Sequence, residues 1–183
     1  MNEQRRLDVI DTAPRFAEAD VAALNARYAD ASASEVLRAV LIEGVASQGA
    51  GKVALVSSFG AESAVLLHLA AQVDPATPIL FLETGKHFPE TLAYRDTLIA
   101  HLGLTGVQNL TPDPEVIAKR DEAGLRWSYD PDGCCEIRKV IPLAKALGDY
   151  EATITGRKSY QSDTRAALPR FELDHSDSAG RIK

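Results

Sequence analysis

Two four-residue apolar runs, Val53-Ala54-Leu55-Val56 and Ile79-Leu80-Phe81-Leu82, constrain the fold of this chain more than any other feature. Runs this short and uninterrupted suit strands buried on both faces of a parallel sheet. Each gives way to a polar loop and then to a stretch of helical length. Ala64 to Ala70 forms the first such stretch, and a second runs from Pro89 to about His101, with Leu92, Leu98 and Ile99 for its buried face. Gly106 to Leu110 reads as a third strand and Ala152 to Thr155 as another. This βαβαβ order predicts an α/β fold, an open and mostly parallel twisted sheet flanked by helices, with right-handed crossovers. Ligands of such sheets sit beyond the carboxyl ends of the strands. The loops 57–63 and 83–87 both leave strand C-termini and are expected to share one cleft.

The rest of the chain frames that core. Phe16, Val21, Leu24 and Tyr28 recur at helical spacing. The run ASASEVLRAVLIEGVA predicts a second helix, opened by a capping box of Ser32 and Glu35. Residues 111–131 hold a short helix around 115–122, and Cys135 to Leu147 reads as a longer one that Pro142 should bend or restart. The expected organisation is an N-terminal helical segment over residues 1–50, an α/β domain over 51–173 containing a double-cysteine segment at 132–147, and a polar tail over 174–183 without a packing element of its own. At 183 residues one domain can bury roughly 70% of its unfolded surface, so no disulfide or metal is required merely to hold a core.

Composition excludes several classes of function. The formal net charge is -6, which leaves no basic excess to release counterions from a phosphate backbone, so no nucleic-acid partner is expected. No run approaches 18 apolar residues, so no membrane partner is expected either. The first twenty residues mix both charges and lack the apolar centre of a secretory signal. Charge is uneven: residues 1–118 carry 8 Lys and Arg against 15 Asp and Glu, whereas 119–183 carry 12 against 11. A small anionic ligand would find its cations in the second part.

Three strand ends offer anion chemistry. The string SSFGAES at 57–63 supplies hydroxyl donors from Ser57, Ser58 and Ser63, and Gly60 leaves room for backbone N–H groups to approach a ligand. The helix that follows adds free amides and the positive end of its dipole. It is neither a Walker A loop nor a dinucleotide fingerprint. After the second strand, Thr84 can donate to a ribose or phosphate oxygen, Gly85 lets the backbone pass close to a base, and Glu83 either accepts from a sugar or caps its own turn. After the last strand come Arg157, Lys158 and Arg165, and a guanidinium grips sulfate or phosphate with a fork that Lys cannot reproduce. An ordinary βα turn and a solvated basic turn are the plainer readings of these segments. His87 reads as a solvated loop residue and His68 as a packing residue.

Cys134 and Cys135 are the only cysteines and they are adjacent. A secreted disulfide scaffold would need several spaced pairs, so a reducing compartment is expected. A strained vicinal disulfide, two inert thiols and half of a metal site all remain open. Soft sulfur ligands flanked by Arg138 and Lys139 suit iron or zinc, but a tetrahedral or cubane site wants four ligands.

Four stretches together carry a family resemblance: SSFGAESAVLLHL at 57–69, FLETGKHFPETLAYRDTL at 81–98, DGCCEIRKVIPLAKAL at 132–147 and TGRKSYQSDTRAALPRFE at 155–172. In this order they resemble the assimilatory sulfonucleotide reductases, the adenylyl-sulfate (APS) and phosphoadenylyl-sulfate (PAPS) reductases, and the double cysteine resembles the APS-using branch. The resemblance implies an ATP pyrophosphatase-like (adenine nucleotide alpha hydrolase-like) α/β fold and a cytoplasmic enzyme of sulfate assimilation. It implies adenosine 5'-phosphosulfate as substrate, an enzyme S-sulfocysteine as intermediate, and thioredoxin or glutaredoxin as the reductant that releases sulfite beside AMP. It leaves a homo-oligomer open. The implied substrate contacts are Ser57, Ser58, Gly60, Ser63, Thr84, Gly85, Lys139, Arg157 and Arg165. The implied cofactor is a [4Fe-4S] cluster, with Cys134 and Cys135 as two of its four ligands. No flavin or nicotinamide is expected.

The departures from that pattern are specific. The family's second cysteine pair, C-x-x-C, and its catalytic cysteine have no counterpart among these residues. The nucleophile is therefore expected beyond Lys183, the chain is expected to be C-terminally truncated, and the 183 residues alone are expected to be inactive. Phosphoadenylyl-sulfate reduction is the alternative within the family, and an ATP pyrophosphatase-type adenylating enzyme the alternative outside it. A nucleotide-binding module without catalysis is the non-enzymatic reading.

Overall fold

A computed structural model describes residues 15–45, 52–157, 168–176 and 180–183. Its centre is a four-stranded, wholly parallel sheet of β1 (Val53–Val56), β2 (Ile79–Leu82), β3 (Val107–Leu110) and β4 (Ala152–Thr155), in the spatial order β3-β2-β1-β4. Helices connect the strands in the predicted way: α1 (Glu18–Arg27) and α2 (Ala33–Arg38) precede the sheet, and α3 (Ala64–Val73) joins β1 to β2. From β2 to β3 the chain runs through α4 (Pro89–Leu102). Between β3 and β4 lie α5 (Pro114–Arg120), α6 (Pro131–Cys135) and α7 (Ile141–Leu147). Among the described residues no helix is long and apolar enough to cross a membrane.

Alternation along the two central strands divides the core. Leu55, Ile79 and Phe81 face the side covered by α3 and α4, where they pack with Phe59, Leu67, Ala70 and Leu98. Ala54 and Leu80 face the other side and meet Leu143 and Leu147 of α7. Both faces are covered, which is why these runs read as continuous rather than alternating. The third cluster draws Phe16 just before α1, Val21 of α1 and Val40 in the π-helical turn after α2 onto Val53 and Ala152. Ser32 caps α2 as expected, accepting from the Glu35 amide while the Glu35 carboxylate accepts from the Ser32 amide.

Two local results differ from the sequence reading. A helical run extends from Pro131 to Leu147, beginning four residues before Cys135, with Asp130 as its cap and a π-helical turn over Glu136–Val140. That wider turn accommodates Pro142, which has no N–H to offer and falls in the first turn of α7. The end of the chain is also packed. Ile182 is buried, pairs with Ala152 beside β4 and with Leu173, and joins the third core cluster. Arg181 donates to the carbonyls of Leu147 and Tyr150, so the last residues tie down the end of α7. One apolar residue between cations has no periodicity by which a sequence would announce this.

Candidate functional site

Because every strand is parallel, the loops after β1, β2 and β4 emerge along one carboxyl edge of the sheet. Val56 and Thr155 are partners in register, so the serine–glycine loop and Gly156-Arg157 leave neighbouring strands on the same edge. An added Cβ at Gly156 would lie 3.4 Å from Leu66 of α3, a measure of how closely this turn lies against the helix that follows the loop.

The serine–glycine loop is held from beneath. Phe59 is completely buried, meets the Phe81 ring edge-on at 5.6 Å, and has φ of 55°. A bulky residue with left-handed backbone is unusual, and such strain persists only where the surroundings over-determine it. Ser57 is buried and its Oγ accepts from the Phe59 N–H at 3.1 Å, which locks the turn. Ser58 and Gly60 are exposed and Ser63 half-buried before α3. Gly60 has an ordinary φ of -65°, and a Cβ there would find nothing nearer than Ser58 Oγ at 3.6 Å. The fold itself does not require that glycine.

The second loop is a rigid turn. Thr84 is buried, and its Oγ1 accepts from the Lys86 amide at 3.2 Å. Gly85 has φ of 69°, the left-handed region that glycine enters without penalty, and its amide donates to Glu83. Glu83 therefore caps its own turn while pairing with Arg95. Arg95 also lies over the Phe81 ring at 4.9 Å. His87 stacks on Phe81 and its Nε2 is 2.8 Å from the Leu82 carbonyl, so it packs under the loop rather than being solvated. His68, in contrast, is exposed on α3.

Beneath the turn lies an ionic circuit that the sequence did not disclose. Arg138 Nη1 donates to the Thr84 carbonyl at 2.8 Å, while its Nε and Nη2 donate to Asp121 Oδ2 at 3.2 and 2.6 Å. The side chains are 7% and 1% exposed. Asp121 Oδ1 accepts from the Arg126 amide, the Arg126 guanidinium pairs with Asp130 Oδ2, and Asp130 Oδ1 accepts from the Gly133 amide. The circuit thus joins the 84–85 turn to both the start and the middle of the double-cysteine helix. Hydrogen bonds from Arg138, helped by the Arg126 amide, hold the Asp121 carboxyl below the usual carboxylate range. The Gly133 amide, then Arg126, does the same for Asp130. Lys139, the residue singled out by motif, is exposed. Its neighbour Arg138, four residues after the buried Cys134, carries the internal contacts. That i,i+4 offset, which puts Arg138 on the Cys134 face of the helix, was the only sequence clue.

Arg157 donates through Nε to Thr155 Oγ1 at 3.2 Å and pairs with Glu172. Arg165, with Lys158, lies outside the described residues. Cys134 is buried and Cys135 exposed, and both are free thiols. The expected [4Fe-4S] cluster is not supported. This chain holds two cysteines where a cubane needs four ligands, and among the described residues no three His, Cys, Asp or Glu side chains converge to hold a metal. The residues present do not fit that cofactor.

Comparison with known proteins then decides the family. Residues 52–181 match the model of the phosphoadenosine phosphosulfate reductase domain. The chain belongs to the phosphoadenosine phosphosulfate reductase domain family. The fold of this family member is also found in the phosphoadenylyl-sulfate (PAPS) reductase of Candida auris, solved as a phosphate complex, with a TM-score of 0.72 and 25% identity over 92% of this chain and 78% of that one. Among curated proteins, it is 44% identical to the adenosine 5'-phosphosulfate reductase of Mesorhizobium japonicum over 92% of this chain and 65% of that protein. It is also 44% identical to the enzyme of that name from Chelativorans sp., over 87% of this chain and 64% of that protein. The reductase-domain chain thus spans just under two thirds of the length of these two relatives.

Proposed function

We propose that this chain is the nucleotide-binding part of an adenosine 5'-phosphosulfate reductase. The observation that carries the reading is the convergence of three polar strand ends on one carboxyl edge, with the double-cysteine helix fastened to the one after β2 through Arg138. The similarity to curated adenosine 5'-phosphosulfate reductases supports the choice of substrate.

In this reading the adenosine monophosphate moiety lies across the Thr84-Gly85 turn, and the phosphosulfate faces Ser57, Ser58, Gly60 and Ser63, with Lys139, Arg157 and Arg165 as cations. The sulfonyl group is negatively charged and repels an attacking thiolate. Loop amides and guanidinium groups offset that repulsion and stabilise the charge that develops on the leaving phosphate. A cysteine thiolate supplied from outside these residues forms an S–S bond to the sulfonyl sulfur as the S–O bond to phosphate breaks, releasing AMP and leaving S-sulfocysteine. A thioredoxin or glutaredoxin thiolate then attacks the cysteine sulfur. Sulfite departs with the electron pair, and the donor's second thiol resolves the mixed disulfide, so a dithiol is oxidised as sulfur is reduced by two electrons.

Calorimetric titration with APS, PAPS, AMP and ATP tests this. Binding of APS and AMP without magnesium is expected. Preferential, magnesium-dependent ATP binding would show an adenylating enzyme instead, and tighter binding of PAPS than APS would move the substrate to the 3'-phosphorylated nucleotide. With thioredoxin and APS the 183-residue chain should release no sulfite, and steady release would make Cys134 or Cys135 the nucleophile.

A further inference from the structure

We infer that Asp121 and Arg138 form a positioning relay, through which a nucleotide held on the Thr84-Gly85 turn restrains the double-cysteine helix. The inference rests on the functional reading just given. The relay is built as a coupling element needs to be. Arg138 is a single buried side chain with one end of its fork on the Thr84 carbonyl and the other on Asp121. A planar guanidinium can serve both at once, whereas an ammonium cannot. Asp121 is itself fixed by the Arg126 amide, and Arg126 by Asp130 at the cap of the cysteine helix. A shift of the turn therefore disturbs two contacts of the helix, one at its start and one in its π-helical turn. The glycines agree with this geometry. A Cβ at Gly133 would lie 2.2 Å from Asp130 Oδ2 and 2.4 Å from Arg126 Nη2, and one at Gly85 would lie 3.6 Å from Arg138 Nη1. The circuit passes directly against the backbone of both segments.

The two thiols allow a direct test, since Cys135 is exposed while Cys134 is buried and is reached only when the helix opens. In a Cys135→Ser background of the 183-residue chain, labelling of Cys134 by 5,5'-dithiobis(2-nitrobenzoate) reads that opening. Saturating AMP should slow the labelling by at least about fivefold, the lower end of ordinary coupling free energies, and the labelled protein should bind AMP more weakly than the unlabelled one. Arg138→Lys keeps the charge but cannot span both partners, so AMP should still bind while its effect on labelling falls below about twofold. Asp121→Asn, which leaves the side chain's shape intact, should act likewise if Arg138→Lys fails to fold. Equal slowing in parent and variant, or no slowing in the parent, would overturn the relay with the functional reading intact. Loss of AMP binding in Arg138→Lys would also overturn it, by making Arg138 part of the binding surface. Failure of both AMP and APS to bind the unsubstituted chain would instead remove the functional reading, and the relay with it.

Discussion

Phe59 offers a substitution pair whose order of stability depends on backbone conformation alone. Phe59→Ala empties a fully buried aromatic site against Phe81, which costs about 3–5 kcal/mol in well-packed cores. Phe59→Gly empties the same site. At an ordinary position glycine would be worse than alanine by about 0.5–1 kcal/mol, because its unfolded chain has more freedom to lose. Here φ is 55°, and left-handed backbone costs an L-residue about 1–2 kcal/mol that glycine escapes. The two effects oppose each other, and the glycine variant should equal the alanine variant or exceed it by up to about 1.5 kcal/mol. Urea unfolding followed by circular dichroism, with linear extrapolation at a common slope, measures the difference. A glycine variant less stable than alanine by more than about 0.5 kcal/mol, the ordinary order of the two residues, would refute the strained turn. Both variants should weaken AMP and APS binding, because each keeps the amide that donates to Ser57 Oγ but removes the ring that anchors the loop on Phe81.

Further consequences concern packing and acid stability. Gly106→Ala would put a methyl group 2.2 Å from the Thr77 carbonyl oxygen and 2.4 Å from that of Ala76. Both are backbone atoms that cannot swing aside, so a loss of about 1–3 kcal/mol is expected, readable as a melting point lower by several degrees, and an unchanged one would contradict the close approach before β3. Burial opposes the charge on Asp174, yet hydrogen bonds from Ser176 and Lys183 outweigh it and hold its carboxyl below the usual range. A depressed folded value means stability that is present above the unfolded aspartate value of about 3.9 and lost as pH falls through the folded one. The urea midpoint should therefore fall below about pH 4, and Asp174→Asn should flatten that decline. An equally steep decline in the variant would remove Asp174 from the cause.

The sequence by itself determined the parallel sheet, because two strands buried on both faces must be uninterrupted apolar runs, and because βα alternation permits few other arrangements. It also determined the common edge of the loops, since parallel strands all end on one side, and it carried the family through motifs spread in order along the chain. Tertiary structure decided what those loops rest on. The burial of Arg138 rather than Lys139, its pairing with Asp121 seventeen residues away, and the packing of Ile182 beside β4 depend on contacts between distant segments, which leave no period in the local pattern. The cofactor expectation failed for a related reason. Two adjacent thiols establish the type of ligand, but coordination depends on how many further groups the fold brings to them, and among the described residues it brings none.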